Sequence, residues 1–332
     1  MEVNQGNLDI LFRTANTKFY TVLANTVEFA VSSGIVEVLP MSTLIQDFPW
    51  AARLPAMRQW VGPRQVNSVS NHSKRFAALP WELTFELLQE HLEFDQYATF
   101  QTNITYLAAQ AKKLIDHQTA NFLKTNASVG YDGQVLFSVT HPTTGGDVSA
   151  SLPLGVPTTQ SNLALNTALS ADSYAAARAA MRSQLGEDGK PLNIEPNVLA
   201  VPPQLEQIGK TILEADLIAN AVANIPAGGG GGQNIVLNQS NVYKNTAKLV
   251  VIPELADMPN NWWLFDTTKP VKPLGWGQLK APIFTPMINP DSPLVFMERK
   301  LVYGSHAWGC LNETLWFLSY AGTSEAQYAH VG

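Results

Sequence analysis

The stretch YDGQVLFSVTHP, residues 131–142, decides how the chain is read. Asp132-Gly133 is a turn dipeptide, and Gln134 to Val139 reads as a strand. His141 stands directly before Pro142 and is held extended, because a residue preceding proline avoids the helical region. Tyr131, Asp132 and His141 are residue types of an acid–base site. Their order along the chain describes something plainer: a helix leaves through a turn into a strand, with no nucleophile within evident reach.

The helix comes first. Over residues 98–124, Phe100, Ile104, Leu107, Ala111, Leu114 and Phe122 recur at three- and four-residue steps along one stripe. About 27 residues rising 1.5 Å each make a rod of roughly 40 Å, a strut rather than an ordinary packing helix. Before it, WELTFELL alternates, with Trp81, Leu83, Phe85 and Leu87 on one face and Glu82, Thr84 and Glu86 on the other. That is a half-buried strand. The preceding hairpin, residues 62–80, has turn chemistry at Ser70 to Ser73 and few apolar residues. A two-stranded ribbon is marginal in water, so this one is expected to project and to order against another molecule, with Phe76 covered there. At the N-terminus, TKFYTVLANTVEFAVSSG predicts a short helix ending at Gly34, and VEVLPMSTLIQDFPW is extended. Residues 1–50 read as an arm.

Downstream, residues 143–170 form a long Thr/Ser/Gly/Pro-rich loop. ADSYAAARAAMRSQL predicts a helix, PNVLAVPP a buried strand, and QLEQIGKTILEA a second helix started by Pro202-Pro203. Gly228 to Gly232 lack the lysine and hydroxyl of a phosphate loop and read as a flexible connection before the strand QNIVLNQ. The aromatic-rich ending reads as antiparallel strands, with a loose tail over the last ten residues. Helices and strands do not alternate regularly, so the class is α+β.

Composition narrows function. Charged residues make up 14%, against about 25% in a typical soluble domain. Eight tryptophans accompany this shortage. Buried subunit contacts have such a composition, and so does a monomer with a neutral polar surface. The net charge of −6, with no dense Lys/Arg block, excludes a tight grip on nucleic acid. A single cysteine, Cys310, excludes an intrachain disulfide framework and cysteine metal clusters. MEVNQGNLDILF carries no secretory pattern, and no segment reaches the roughly 20 apolar residues of a membrane span.

The histidines 72, 91, 117, 141, 306 and 330 show no metal-ligand spacing, and no cofactor is implied. His117 belongs on the outer side of the long helix. Alternation puts His306 and Cys310 on one strand face, without a third group to orient them. Glu82, Glu86, Glu90 and Glu93 read as a solvated or partner-facing edge. Two other classes remain open on the residues alone: a hydrolase using these Glu, Asp and His groups, and a binding module using the Trp-rich end.

YDGQVLFSVTHP after a long helix resembles the Mu-like bacteriophage major head subunit family. LPAMRQWVGPRQVNSVSNHSKRF, WELTFELL with FDQYATF, PNVLAVPPQLE and NNWWLFDTTKPVKPL resemble further blocks of that family, in the same order. The resemblance is carried best by residues 50–142 and less by 193–285. It implies a Hong Kong 97-type capsid fold. Its parts would be an arm (1–50), an extended loop (51–95), a peripheral domain with the spine helix (96–142 and 286–322), a mixed α/β axial domain (143–285) and a tail (323–332). It implies a non-enzymatic capsid subunit of the virion, assembling in the host cytoplasm into pentamers and hexamers of an icosahedral head. Scaffold, portal and decoration proteins would be further partners, with packaged DNA touched weakly. Subunit contacts are then expected at Arg58, Trp60, Arg64, Lys74, Arg75 and Phe76.

Overall fold

Helix α1 (Gln5–Asn25) and the short α2 (Phe29–Ser32) lead into strands β1 (Val36–Pro40), β2 (Ile45–Ala51), β3 (Asn71–Ala77) and β4 (Leu79–Leu88). Two helices follow, α3 (Tyr97–Lys112) and α4 (Leu114–Thr125), and then β5 (His141–Pro142), β6 (Thr159–Gln160) and β7 (Leu163–Leu165). Next come α5 (Ala171–Arg182), β8 (Val198–Val201), α6 (Glu206–Leu213), β9 (Leu217–Ile225) and β10 (Gln233–Ser240). The chain continues through β11 (Lys248–Val251), β12 (Trp262–Phe265), β13 (Leu274–Met287), β14 (Lys300–Glu313) and β15 (Ser319–Thr323). The structure is a computed structural model and describes residues 5–51, 71–88, 90, 97–145, 152, 154–186, 189–225, 233–287 and 297–323. The glycine run and residues 324–332 of the expected tail lie outside these, while Thr323 closes β15.

One sheet has the order β1-β13-β14-β4, with β13, β14 and β4 mutually antiparallel and β1 parallel to β13. Leu87, Phe284, Leu301 and Tyr303 on its covered face meet Leu11, Ala15 and Phe19 of α1 and Phe100, Ile104 and Leu107 of α3. The N-terminal segment thus does more than the short helix expected of it. Leu11 and Ala15 continue the four-residue step that Phe19 begins, so one 21-residue helix forms and shares this core. Gly34, at φ +78°, closes the region of α2 as anticipated.

The spine is two helices rather than one. Lys113 breaks it, although Lys113 N–H still donates to Ala109 O and His117 N–H to Lys113 O, both at 3.0 Å. Beyond the break the buried stripe is Ile115, Asp116, Thr119, Ala120 and Leu123, while Leu114 and Phe122 are only partly covered. The turn brings the Asp116 carboxylate inward, where it accepts the backbone N–H groups of Phe29 (3.2 Å) and Ala30 (3.0 Å). It thereby caps α2, whose own N-cap Glu28 makes no such bond and pairs instead with Lys112.

The second sheet has the order β11-β8-β12-β15-β7. Strands β8, β12 and β15 are buried at every position, and β8 and β12 accordingly read as apolar runs without alternation. Gly322 faces Trp262 across the β12–β15 pair, and a Cβ there would lie 2.2 Å from the indole ring. Glycine is required at that position. Four of the eight tryptophans, Trp262, Trp263, Trp276 and Trp316, are core residues buried within the chain. These four are therefore not part of a binding surface or a subunit contact. The sheets also cut across two expected boundaries. Strand β13 crosses residue 285 and belongs with β14 and β4, while β15 returns to pair with β12 and β7.

Burial raises the pKa of Asp116 above 3.8, and Glu28 and Glu254 add to the rise, against the two N–H donors. The native state then holds a proton that the unfolded chain has released, so this group's contribution falls as pH rises through the window above 3.8. Thermal unfolding of Asp116→Asn, measured from pH 4 upward, is expected to show a smaller decline over that window than the parent.

Candidate functional site

Gln134 to Val139 is not the strand expected of it. Within Gln134 to Val139 the one bridge is Val135 to Val129, and Val135, Leu136, Phe137 and Ser138 are buried consecutively. Side chains take the place of a partner strand. Asn126, left-handed at φ +45°, exchanges two hydrogen bonds with the Phe137 backbone, at 2.9 and 3.0 Å. Asn162 accepts from Ser138 N–H and donates to the carbonyls of Leu136 and Trp316.

His141 closes the network. Its Nδ1 lies 2.6 Å from Asp132 Oδ2, and the two side chains are 0% and 1% exposed. Sequence spacing placed no partner near this histidine, so the pair is a correction. The ring stacks on Trp316, with centroids 4.0 Å apart and planes at 2°. An imidazole oriented by a carboxylate is half of a nucleophilic triad. Nε2, however, faces only the Leu136 carbonyl (3.2 Å) and Asn162 Oδ1 (3.1 Å), both acceptors. The Asn162 amide is oriented by its own two donor bonds, so the oxygen assignment holds. Among the described residues no hydroxyl or thiol is a partner of the ring, and the pair is a buried joint. Cys310 offers no nucleophile either, since burial pushes its thiol up to about 11.

The remaining candidates gather at the root of the β2–β3 ribbon, whose strands pair from Ile45–Ala77 to Ala51–Asn71. Phe76 is fully buried in its own chain among Met41, Ala78, Cys310, Leu39 and Phe48. A cover supplied by another molecule is therefore wrong for Phe76. The signal for this was present in Leu39, Met41 and Phe48, each on the arm. Lys74 is likewise engaged internally: Nζ donates to Glu313 (2.6 Å), Ser128 Oγ (3.1 Å) and the Val129 carbonyl. The lysine side chain is 16% exposed and the glutamate 2%, so this ion pair is largely shielded from water. Arg75 alone of the three faces outward, 70% exposed and bonded to Asp47. That bond holds the Asp47 carboxyl below its usual value. Arg58, Trp60 and Arg64 lie outside the described residues.

Strand β4 is the edge of its sheet, and Glu82, Thr84 and Glu86 stand exposed on it. Beneath this edge a groove of about 210 Å³ runs between the spine and β14, lined by Trp81, Leu83, Leu114, His117 and His306. His117 lies half-exposed beside Glu254, at 3.2 Å. The charges either side of the ribbon are segregated in sequence. Residues 52–76 contain Arg53, Arg58, Arg64, Lys74 and Arg75 with no acid, and residues 79–95 contain Glu82, Glu86, Glu90, Glu93 and Asp95 with no Lys or Arg.

The family model described as Mu-like prophage major head subunit gpT matches residues 8–162, 148–255 and 232–331. The Mu-like prophage FluMu major head subunit of Haemophilus influenzae strain Rd is 23% identical over 109 residues, 32% of this chain. That alignment spans only 35% of the curated relative's length. Among solved structures, the procapsid of bacteriophage JBD30 superposes with a TM-score of 0.56 at 18% identity, covering 97% of this chain and 77% of that one. Chains of Microbacterium phage Oxtober96 and Mycobacterium phage Bobi each give 0.51, at 11% and 9% identity, each covering 89% of this chain and 90% of theirs. At such identities the likeness is one of fold, the Hong Kong 97-type fold of phage capsids.

Removing one partner of a buried, bonded pair is expected to cost about 3–5 kcal/mol. His141→Ala and Lys74→Ala should each lower subunit stability on that scale in denaturant unfolding. Arg75→Ala, at an exposed pair, should leave the midpoint unchanged. Phe76→Ala should cost about 3–5 kcal/mol in an isolated subunit, because its core lies within the chain.

Proposed function

The chain belongs to the Mu-like prophage major head subunit gpT family, and on that premise we propose that it is the repeating subunit of a phage head. Copies assemble as pentamers and hexamers into an icosahedral shell around the genome. The work is structural and not catalytic. The observation that carries this is a family match running from residue 8 to 331. Its reach includes the ribbon, the spine and both sheets.

The segregated charges supply a contact between copies. The basic loop of one copy, with Arg58, Trp60 and Arg64, lies across the acidic β4 edge of its neighbour. Lys74 and Phe76 root that loop in its own subunit, and Arg75 remains available at the base. Each exposed ion pair contributes only about 0.2–1 kcal/mol, but a closed shell repeats it in every subunit. The net charge of −6 suits a wall that holds DNA without gripping it. Scaffold, portal and decoration proteins are the further partners such a shell takes.

Purified protein should sediment as capsomers or shells and appear as such by electron microscopy. Glu82→Lys with Glu90→Lys is expected to suppress assembly, most of all at low salt, while leaving subunit unfolding unchanged. Adding Arg58→Glu and Arg64→Glu in the same chain should restore it. A parent that stays monomeric at every concentration and salt would sink the shell reading, and a four-site variant that fails to recover would sink this pairing.

A further inference from the structure

The β2–β3 ribbon pairs with no other described strand, so within the described residues its direction depends on what holds its root. Exposure alternates along β3, with Ser73, Arg75 and Ala77 outward and Lys74, Phe76 and Ala78 toward the subunit. Phe76 is the first hold. Its ring lies on the bare backbone of β13, where a Cβ at Gly275 or Gly277 would come within 3.1 or 2.8 Å of it. Apolar contact of this kind is non-directional, and by itself it leaves a pivot.

Lys74 is the second hold, two residues or about 7 Å further out. An ammonium has three N–H donors, and here each has an acceptor: Glu313 at the end of β14, and Ser128 Oγ and the Val129 carbonyl in the loop after α4. The bonds run on into a closed circuit. Ser128 Oγ donates to Asn312 Oδ1 at 3.3 Å, and Asn312 Nδ2 donates back to the Arg75 carbonyl at 3.3 Å. Glu313 Oε2 is buried with no hydrogen-bond partner among the described residues, so Lys74 is the group that compensates this carboxylate. Beyond Lys74 the ribbon continues with Pro49 opposite Ser73, Trp50 opposite His72 and Ala51 opposite Asn71.

We propose that this circuit aims the ribbon: Lys74, Ser128, Asn312 and Glu313 are positioning residues for assembly, fixing the line along which the loop leaves its subunit for a neighbouring copy. This rests on the shell reading above. Stability alone does not call for a buried ion pair here, since well-packed apolar residues of similar volume often serve as well. Charge-assisted hydrogen bonds add what packing lacks, a defined direction. With Phe76 as the pivot and Lys74 as a second fixed point, the line of the ribbon is set. A swing about Phe76 moves the residues beyond Lys74 further than it moves Lys74 itself.

The test uses the full chain as free subunits, spin-labelled through Ser73→Cys on the ribbon and Asn121→Cys on α4, both exposed positions. The parent should give one narrow distribution of distances between the labels. Lys74→Met with Glu313→Leu keeps the volume and removes the circuit, so it is expected to broaden the distribution while the unfolding midpoint stays close to the parent's. Ser128→Ala should broaden it too, and Ser128→Thr, which keeps the hydroxyl, should return the parent's width. Each broadened variant should lower the assembled fraction about tenfold, the effect of roughly 1.4 kcal/mol. A distribution as narrow as the parent's in the double variant and in Ser128→Ala overturns the aiming role, and the four residues then act on stability alone. Broad distributions with assembly at the parent's level overturn their part in assembly. Should the double variant fail to fold, the contrast between Ser128→Ala and Ser128→Thr decides in its place. A parent that never assembles overturns the shell reading alone, and broadening in free subunits then still supports the aimed ribbon.

Discussion

Strand β14 gives one edge to β13 and the other to β4, its covered face to α1 and α3, and its last residue, Glu313, to Lys74. Both long strands run for 14 residues, roughly 47 Å at about 3.4 Å each, so the pair spans the full length of the sheet. Along β14 burial alternates from Lys300 to Gly309, and Leu301 and Tyr303 of the buried set lie in the core with α1 and α3. The arm, the spine and the ribbon root all take their positions from this one strand pair. A change of register would turn its buried set to solvent and release each of them.

Buried charge is used in the same way at three joints. Asp116 ties the spine to α2, Asp132 ties the turn at 131–134 to His141, and Glu313 ties β14 to the ribbon. Each links segments that hydrophobic packing alone would allow to slide, because apolar contact is non-directional and a hydrogen-bonded carboxylate is not. The cost of burying such groups is high unless their partners are in place. These joints therefore favour one relative placement of the parts.

The shortage of charge fits buried subunit contacts and a neutral monomer surface alike. In the structure, aromatic residues fill the interior, and charge is uneven along the chain: residues 52–76 carry no acid, residues 79–95 no Lys or Arg, and β9 and β10 neither.

What could be read from sequence was whatever repeats locally. The stripes of α3 and α5, the apolar runs of β8 and β12, the alternation of β4 and the order of family blocks all lie within short windows. The class of fold and the family follow from them. Long-range meetings were not legible. Lys74 and Glu313 are 239 residues apart, and Asn162 reaches Trp316 across 154. Phe76 was expected to be covered by another molecule because its own core, Met41 and Cys310, comes from segments distant in sequence. Asp132 and His141 are only nine residues apart, yet no periodicity brings them together, since the segment between them follows neither a helix nor a strand. Periodicity reports how a segment faces its surroundings. Which side chain completes a buried hydrogen bond depends on where distant segments close, and that was settled by the tertiary fold.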